Sequence, residues 1–412
     1  MKFEAYSIHP RIKQNLEAAG FKRPTDIQFK TIPHVLKGED VLAIAQTGTG
    51  KTAAFVIPVL HLLGLTKKKV DGIRCVVMAP THELALQIDQ VFKQLSTGTG
   101  IKSLALIGGV DQDPQIEKLQ KGIDVLVATP GRLFDLVHQQ HLNLRNAGLL
   151  ILDEADQMLD RGFYKDITDL IRFLPKKRQT LYFSATINPQ IKKLAYSLVN
   201  NPIRIQIAPE NLVSKNITHY VAHIAMDDKR FFLERLIEEY PESKILVFVR
   251  TKVRAERVMK AMARVNIHTV NIHSGKTQEE RNTSMQLFRS GEVKVLIATD
   301  VSARGIDIPN VDVVVNYDLP DKAENYVHRI GRTGRGMQKG SAFSYCSEEE
   351  EAMLAEIEEY IGREIEKVEI AKGDYKATLL LGGNEENDWK AVMKKAALEE
   401  ERYEQKKKRK KK

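Results

Sequence analysis

The chain has 412 residues, 42% of them hydrophobic, a formal net charge of +9 and two cysteines. That length exceeds one ordinary core and suits two domains plus a tail. Cys75 and Cys346 lie far apart without CxxC or CxxH neighbours, which argues against a disulfide framework or zinc site. The N-terminus lacks an apolar signal core, and no apolar run reaches the ~18 residues of a membrane helix. A soluble, cytoplasmic protein with no membrane partner and two small apolar core thiols is expected.

In chain order, the first strong element is the apolar run Val41 to Ile44, read as a buried strand. It opens into Ala45-Gln46-Thr47-Gly48-Thr49-Gly50-Lys51-Thr52, a phosphate-loop pattern with Ala45 at the first glycine position. Gly48 and Gly50 let backbone N–H groups curl around phosphate oxygens, Lys51 suits the β- and γ-phosphates, and Thr52 suits Mg²⁺. Further strands are expected at Cys75 to Met78, Val125 to Val127, Leu149 to Leu152 and Leu181 to Phe183. Directly after Leu152 stands Asp153-Glu154-Ala155-Asp156. An acid at the end of a buried strand suits the Mg²⁺-holding role for Asp153, and Glu154 suits the general base on an attacking water.

The short polar stretch around Pro209 divides the strand series. A first domain is expected over 1–208, a linker over 209–216, a second domain over 217–370 and a tail over 371–412. Strands in the second half are expected at Ile245 to Val249, Val295 to Ile297, Val311 to Val315 and Ala342 to Tyr345, before an acidic helix over Ser347 to Glu366. Continuous apolar runs alternating with helices signal parallel sheets covered on both faces, an α/β class. This half has no phosphate loop but carries His328-Arg329-Ile330-Gly331-Arg332-Thr333-Gly334-Arg335. Arg329 and Arg332, three apart, are therefore expected to serve the nucleotide of the first domain as charge-stabilising arginines. The glycines beside them suggest close backbone approach.

In the tail, a helix is expected over Asp388 to Gln405, with Trp389, Val392, Met393 and Ala396 on one face packing on the second domain. Seven consecutive cations, Lys406 to Lys412, end the chain, so the remainder carries only +2. Such a run suits a polyanion partner. Taken singly, each motif has an ordinary reading: a glycine-rich turn, an acidic helix start, a solvated basic stretch. Their common position at strand ends, where open α/β sheets bind ligands, favours the functional one.

These strings together resemble the DEAD-box ATP-dependent RNA helicases, most closely the compact bacterial, RhlE-like type, over Phe3 to about Tyr345. The resemblance implies two tandem RecA-like parallel-sheet domains with the active cleft between them. It implies ATP as substrate, Mg²⁺ as cofactor, sequence-nonspecific RNA as partner and a monomer. Phe21 to Gln28 resembles the Q motif, with Phe21 on adenine, Gln28 at its edge and Phe3 as the upstream aromatic. Asp307 is expected at the ribose. Asp156, Ser184, Thr186 and His328 are expected to couple hydrolysis to strand separation. RNA contacts are implied for Pro80, Thr81, Gly109, Thr129, Pro130, Gly131 and Arg132, and for Arg250, Arg281 and Thr299. The helix from about Arg132 is expected to bend one strand. His82 stands where the family usually has Arg, which weakens one phosphate contact or makes it pH-sensitive, unless it is a peripheral donor. An ATP-gated RNA clamp and a DNA-directed motor are alternatives that the same strings leave open.

Overall fold

The computed structural model describes residues 2–46, 48–65, 72–207, 213–214, 216–303, 308, 311–334 and 338–381. Expectations for Thr47, Asp307, Arg335, most of 209–216 and the tail from 382 lie outside these residues. The described residues divide into two compact units, one up to residue 207 and the other from residue 213.

The first unit holds strands β1 (Val41–Ile44), β2 (Cys75–Met78), β3 (Ser103–Leu106), β4 (Val125–Ala128), β5 (Leu149–Leu152), β6 (Gln179–Ser184) and β7 (Ile203–Gln206). They form one parallel sheet in the order β3-β4-β2-β5-β6-β1-β7. Alternate residues feed two separate cores. Val41, Ala43, Val77, Ile151 and Phe183 face one layer, and Leu42, Ile44, Met78, Leu152 and Tyr182 the other. Both faces are buried, so β1, β2, β4 and β5 are apolar at every position, and the central β6 is apolar over Leu181 to Phe183.

The second unit holds β8 (Ile217–His223), β9 (Ile245–Val249), β10 (Thr269–Ile272), β11 (Val295–Thr299), β12 (Val313–Asn316), β13 (Gly340–Cys346) and β14 (Glu366–Lys367). Its parallel sheet runs β10-β11-β9-β12-β13-β8-β14. The thiols of Cys75 and Cys346 are buried and unpaired in β2 and β13, and burial pushes both up from the usual thiol range.

Two expectations need adjustment. The acidic helix is a 3₁₀ turn, Glu348–Glu350, followed by a helix over Glu351–Ile361 that ends at Gly362. The boundary at 370 falls among packed elements. Helix Lys372–Leu381 lies on helix Lys229–Glu239. There Tyr375 sits with its ring centre 4.9 Å from that of Phe232 and donates its hydroxyl to Asp228 at 2.8 Å.

Candidate functional site

In the first unit, the loop after β1 leads into helix Lys51–Leu65. Lys51 is buried, and its Nζ donates to the Ala45 carbonyl at 2.9 Å, folding the ammonium back over the loop. Thr49 Oγ1 donates to Gln46 O at 2.8 Å. Gln28 is buried at the start of helix Asp26–Leu36. Its Oε1 accepts from Thr25 N at 3.1 Å and its Nε2 donates to Gly50 O at 3.1 Å. Gly50 has φ +91°, and a Cβ there would meet Gln28 Nε2 at 2.5 Å. Only glycine allows this closure. The amide is thus joined to the phosphate loop, with one N–H and one lone pair left for a ligand edge. Phe21 is half-buried and packs edge-on against Phe3, with ring centres 6.1 Å apart.

At the end of β5 the backbone makes a strained turn. Glu154 adopts φ +51°, ψ +49°, a left-handed conformation that costs an ordinary residue roughly 1–2 kcal/mol. Such strain persists where the surroundings fix it, often at functional sites. Glu154 Oε2 accepts from Gln157 Nε2 at 2.6 Å. Asp153 is 2% exposed and accepts from Glu154 N at 3.0 Å. Burial pushes its carboxyl above the usual range, the Lys51 ammonium and the Glu154 N–H pull it down, and Asp156 pushes it up. Asp156 Oδ2 accepts from Ala185 N at 3.1 Å, Thr186 N at 3.0 Å and Thr186 Oγ1 at 3.1 Å. Ser184 Oγ donates to Thr186 O at 2.8 Å. The acidic turn after β5 and the turn after β6 are therefore bolted together through one carboxylate.

Three loops expected at RNA converge on the same edge of the sheet. Thr81 caps helix His82–Leu95, its Oγ1 accepting from Leu84 N at 3.1 Å. The His82 ring lies beside the next turn: a Cβ on Gly108 or Gly109 would stand 3.5 Å or 3.7 Å from it. Arg132 reaches this turn too, donating to Val110 O at 2.7 Å. Thr129 is buried ahead of helix Pro130–His138, which begins Pro130-Gly131-Arg132.

In the second unit the arginines separate in role. Arg329, on helix Ala323–Ile330, is 1% exposed. Its Nε and Nη2 donate to the two Asp300 oxygens, both at 2.6 Å. Its Nη1 donates to Asp318 O at 2.6 Å and Asn316 Oδ1 at 3.3 Å, and the guanidinium lies 5.1 Å from the Phe248 ring centre. A guanidinium has five N–H donors, and four are committed inside the unit. The expectation that Arg329 meets a transferring phosphoryl group is corrected: it ties the ends of β11 and β12 together. Arg332 is buried, on the turn that follows. Gly334 has φ +63°, and a Cβ there would strike Ile217 Cγ1 at 2.5 Å. The close approach expected of the glycines is here a packing contact with β8.

Arg250 follows β9. Its Nε lies 3.1 Å from Asp321, and its Nη2 donates to Glu350 Oε1 at 2.6 Å. Glu350 is itself buried and also accepts from Lys229. Arg250 thus has a structural job before any ligand arrives. Thr299 is buried at the end of β11, and Arg281 and His328 lie on helices Gln278–Ser290 and Ala323–Ile330. Sequence reasoning missed Gln157, Asp300 and Glu350. Gln157 stands three residues after Glu154, on the same helical face, and Asp300 is another strand-end acid; Glu350 lay in an acidic run with nothing to single it out.

The DEAD/DEAH box helicase family model matches residues 25–194, and the helicase conserved C-terminal domain model matches residues 228–337. The chain is 40% identical to the ATP-dependent RNA helicase RhlB of Xanthomonas oryzae pv. oryzae, over 88% of this chain and 64% of that protein. It thus spans a little under two thirds of that relative's length. It is also 40% identical to RhlB of Shigella dysenteriae serotype 1, over 88% of each chain. These bacterial relatives carry the RhlB name, where the sequence had suggested an RhlE-like type. Among solved structures, S. cerevisiae Dbp5 bound to RNA and ADP BeF3 is 30% identical with a TM-score of 0.80, covering 95% of this chain and 99% of that one. Mss116 bound to ssRNA and UDP-BeF is 29% identical with a TM-score of 0.83, covering 93% and 82%.

Proposed function

This chain belongs to the DEAD/DEAH box helicase family, and we propose that it is an RNA-stimulated ATPase that separates short RNA duplexes regardless of sequence. The observation that carries this reading is the segment Asp153 to Asp156. One strained turn joins a buried acid facing Lys51, a carboxylate at the strand end, and a third carboxylate gripping Ala185 and Thr186. Hydrolysis and movement of the Ser184–Thr186 turn thereby share a backbone.

Lys51 leaves the Ala45 carbonyl to neutralise the phosphates of ATP, and the N–H groups around Gly48 and Gly50 cradle them. Phe21 stacks on the base, and Gln28 reads its edge while holding the phosphate loop. Glu154, steadied by Gln157, takes the proton of the attacking water, and ADP and phosphate leave. Arg332 supplies positive charge from the second unit. The residues fit magnesium: Asp153 offers a buried carboxylate and Thr52 a hydroxyl, and this cation usually takes one or two protein oxygens plus substrate phosphates. When bound, it neutralises charge on those phosphates.

RNA lies along Thr81, Gly109, Thr129 to Arg132, Arg281 and Thr299, which meet phosphates and sugars and so carry no sequence information. The Lys406 to Lys412 run adds nonspecific attraction. The protein works as a monomer in the reducing cytosol, where its two buried thiols stay unpaired.

Glu154→Gln tests the assignment. ATP turnover should fall ~10²-fold or more, since general-base catalysis contributes on that scale. ATP-dependent RNA binding should persist, and displacement of a short RNA duplex should be lost on repeated cycling. Near-normal turnover in the variant would refute the role of Glu154. Wild-type protein that hydrolyses slowly, keeps its RNA and displaces no strand would identify a clamp instead.

A further inference from the structure

The second unit carries a basic groove that the mechanism above does not use. It is a cavity of about 480 Å³ beside helices Lys229–Glu239 and Lys252–Arg264. Arg230, Arg254, Arg257, Lys260 and Arg264 line it, and among the described lining residues Asp227 is its one carboxylate. Arg254 is fixed from behind, its Nε 3.2 Å from Asp318 and its guanidinium 5.4 Å from the Tyr317 ring centre. Arg257, Lys260 and Arg264 are exposed, and their side chains make no hydrogen bond or ion pair among the described residues.

A solvated face is the ordinary fate of surface cations, but two features set this one apart. Like charges three or four apart weaken a helix unless acids alternate with them. Helix Lys252–Arg264 has a single acid, Glu256, and it is turned to His273 at 2.8 Å, Asn271 at 3.2 Å and Lys276 at 3.5 Å. The groove's repulsion is therefore left uncompensated by the helix that creates it. The cations also form a line. Arg254 to Arg264 rises about 15 Å at 1.5 Å per residue, which suits an extended polyanion with repeating charges better than a compact one. Arg254 lies in the first turn of the helix that follows β9, so the line starts at the strand-end edge of the sheet and leads away from it.

We propose that this groove holds the sugar-phosphate backbone of single-stranded RNA flanking the segment bound at the strand ends. The proposal rests on the RNA-binding reading above and extends the RNA track along the second unit. Positive grooves that follow a strand are the common means of sequence-independent binding.

The test uses the full chain and the variant Arg257→Gln/Lys260→Gln/Arg264→Gln, whose positions lie outside the proposed catalytic and RNA-loop residues. Affinity is measured against salt for a single strand of ~8 nucleotides, within one compact binding site, and for one several-fold longer. Each phosphate neutralised on a single strand contributes about 0.7 to the slope of log K against log salt, so losing three cations should flatten the long-RNA slope by about 2. Short-RNA affinity, and ATP turnover at saturating short RNA, should match wild type. An unchanged long-RNA slope would overturn the proposal and give the groove to an acidic protein partner. Equal losses on short and long RNA would also overturn it, by placing these cations in the main track. Wild-type protein that fails to bind the short strand at all would instead refute the underlying RNA reading.

Discussion

Replacing Arg329 by Met keeps the aliphatic stem against Phe248 and deletes the charge. Asp300, with a side chain 19% exposed, then loses both of its 2.6 Å partners, and the Asp318 carbonyl and the Asn316 amide each lose a donor. Breaking a buried ion pair by removing one partner costs about 3–5 kcal/mol. The partial access of water to Asp300 places this case at the lower end, about 3 kcal/mol. For a unit of this size, that corresponds to roughly 6–12 °C in melting temperature. Hydrogen exchange in β11 and β12 reports the second unit separately from the first, because protection follows local opening free energy. Protection there should collapse in Arg329→Met and recover in part in Arg329→Lys, which restores one donor group without the two-pronged geometry. If Arg329 were a phosphate-binding finger, the variant would unfold like wild type and lose only turnover. Stability unchanged to within ~0.5 kcal/mol, the range of ordinary surface substitutions, would refute the structural role.

Gln28→Ala should narrow the preference for ATP over GTP, by about 5-fold in kcat/KM if one net hydrogen bond of about 1 kcal/mol is lost; equal kcat/KM for both nucleotides in the wild type would remove Gln28 from base reading. His219 provides a pH test of the second unit. Arg363 lies 2.6 Å from its Nε2, and a guanidinium can only donate, so Nε2 accepts and Nδ1–H donates to the Tyr326 hydroxyl at 2.8 Å. Burial first, and the Arg363 charge second, lower its pKa from 6.5 to about 4. The unfolded chain takes up a proton between these values and the folded chain does not. Stability is therefore complete above about pH 6.5 and falls as the pH drops toward 4. His219→Gln should flatten that part of the denaturation midpoint against pH, and an identical slope in the two proteins would show that another group is responsible.

Most interior strands were readable because burial on both faces favours a continuous apolar run in the strand's middle, such as Leu149 to Leu152 or Ile245 to Val249. The strands that escaped notice are β3, β7, β10 and β14, the four edges of the two sheets, and β8 beside one edge. Edge strands can expose a face, and β7 alternates, with Arg204 and Gln206 exposed beside the buried Ile205. β8 alternates likewise, burying Ile217, His219 and Val221. The nucleotide motifs were legible because strand ends concentrate unusual polar strings on one edge of a parallel sheet. Spacing could not distinguish Arg329 from Arg332. That difference depends on Asp300, 29 residues earlier, which only the pairing of β11 with β9 and β9 with β12 brings within reach. Nor could local pattern show that Tyr375 packs on Phe232, since the contact joins helices about 140 residues apart.

The most direct measurement is steady-state ATP turnover of the full chain alone, with RNA, and with DNA of the same sequence. Turnover should be slow alone, rise manyfold with RNA and stay near the basal rate with DNA, since 2′-hydroxyl contacts distinguish the two polymers. Turnover equally fast without RNA, or equally stimulated by DNA, would contradict an RNA-dependent ATPase.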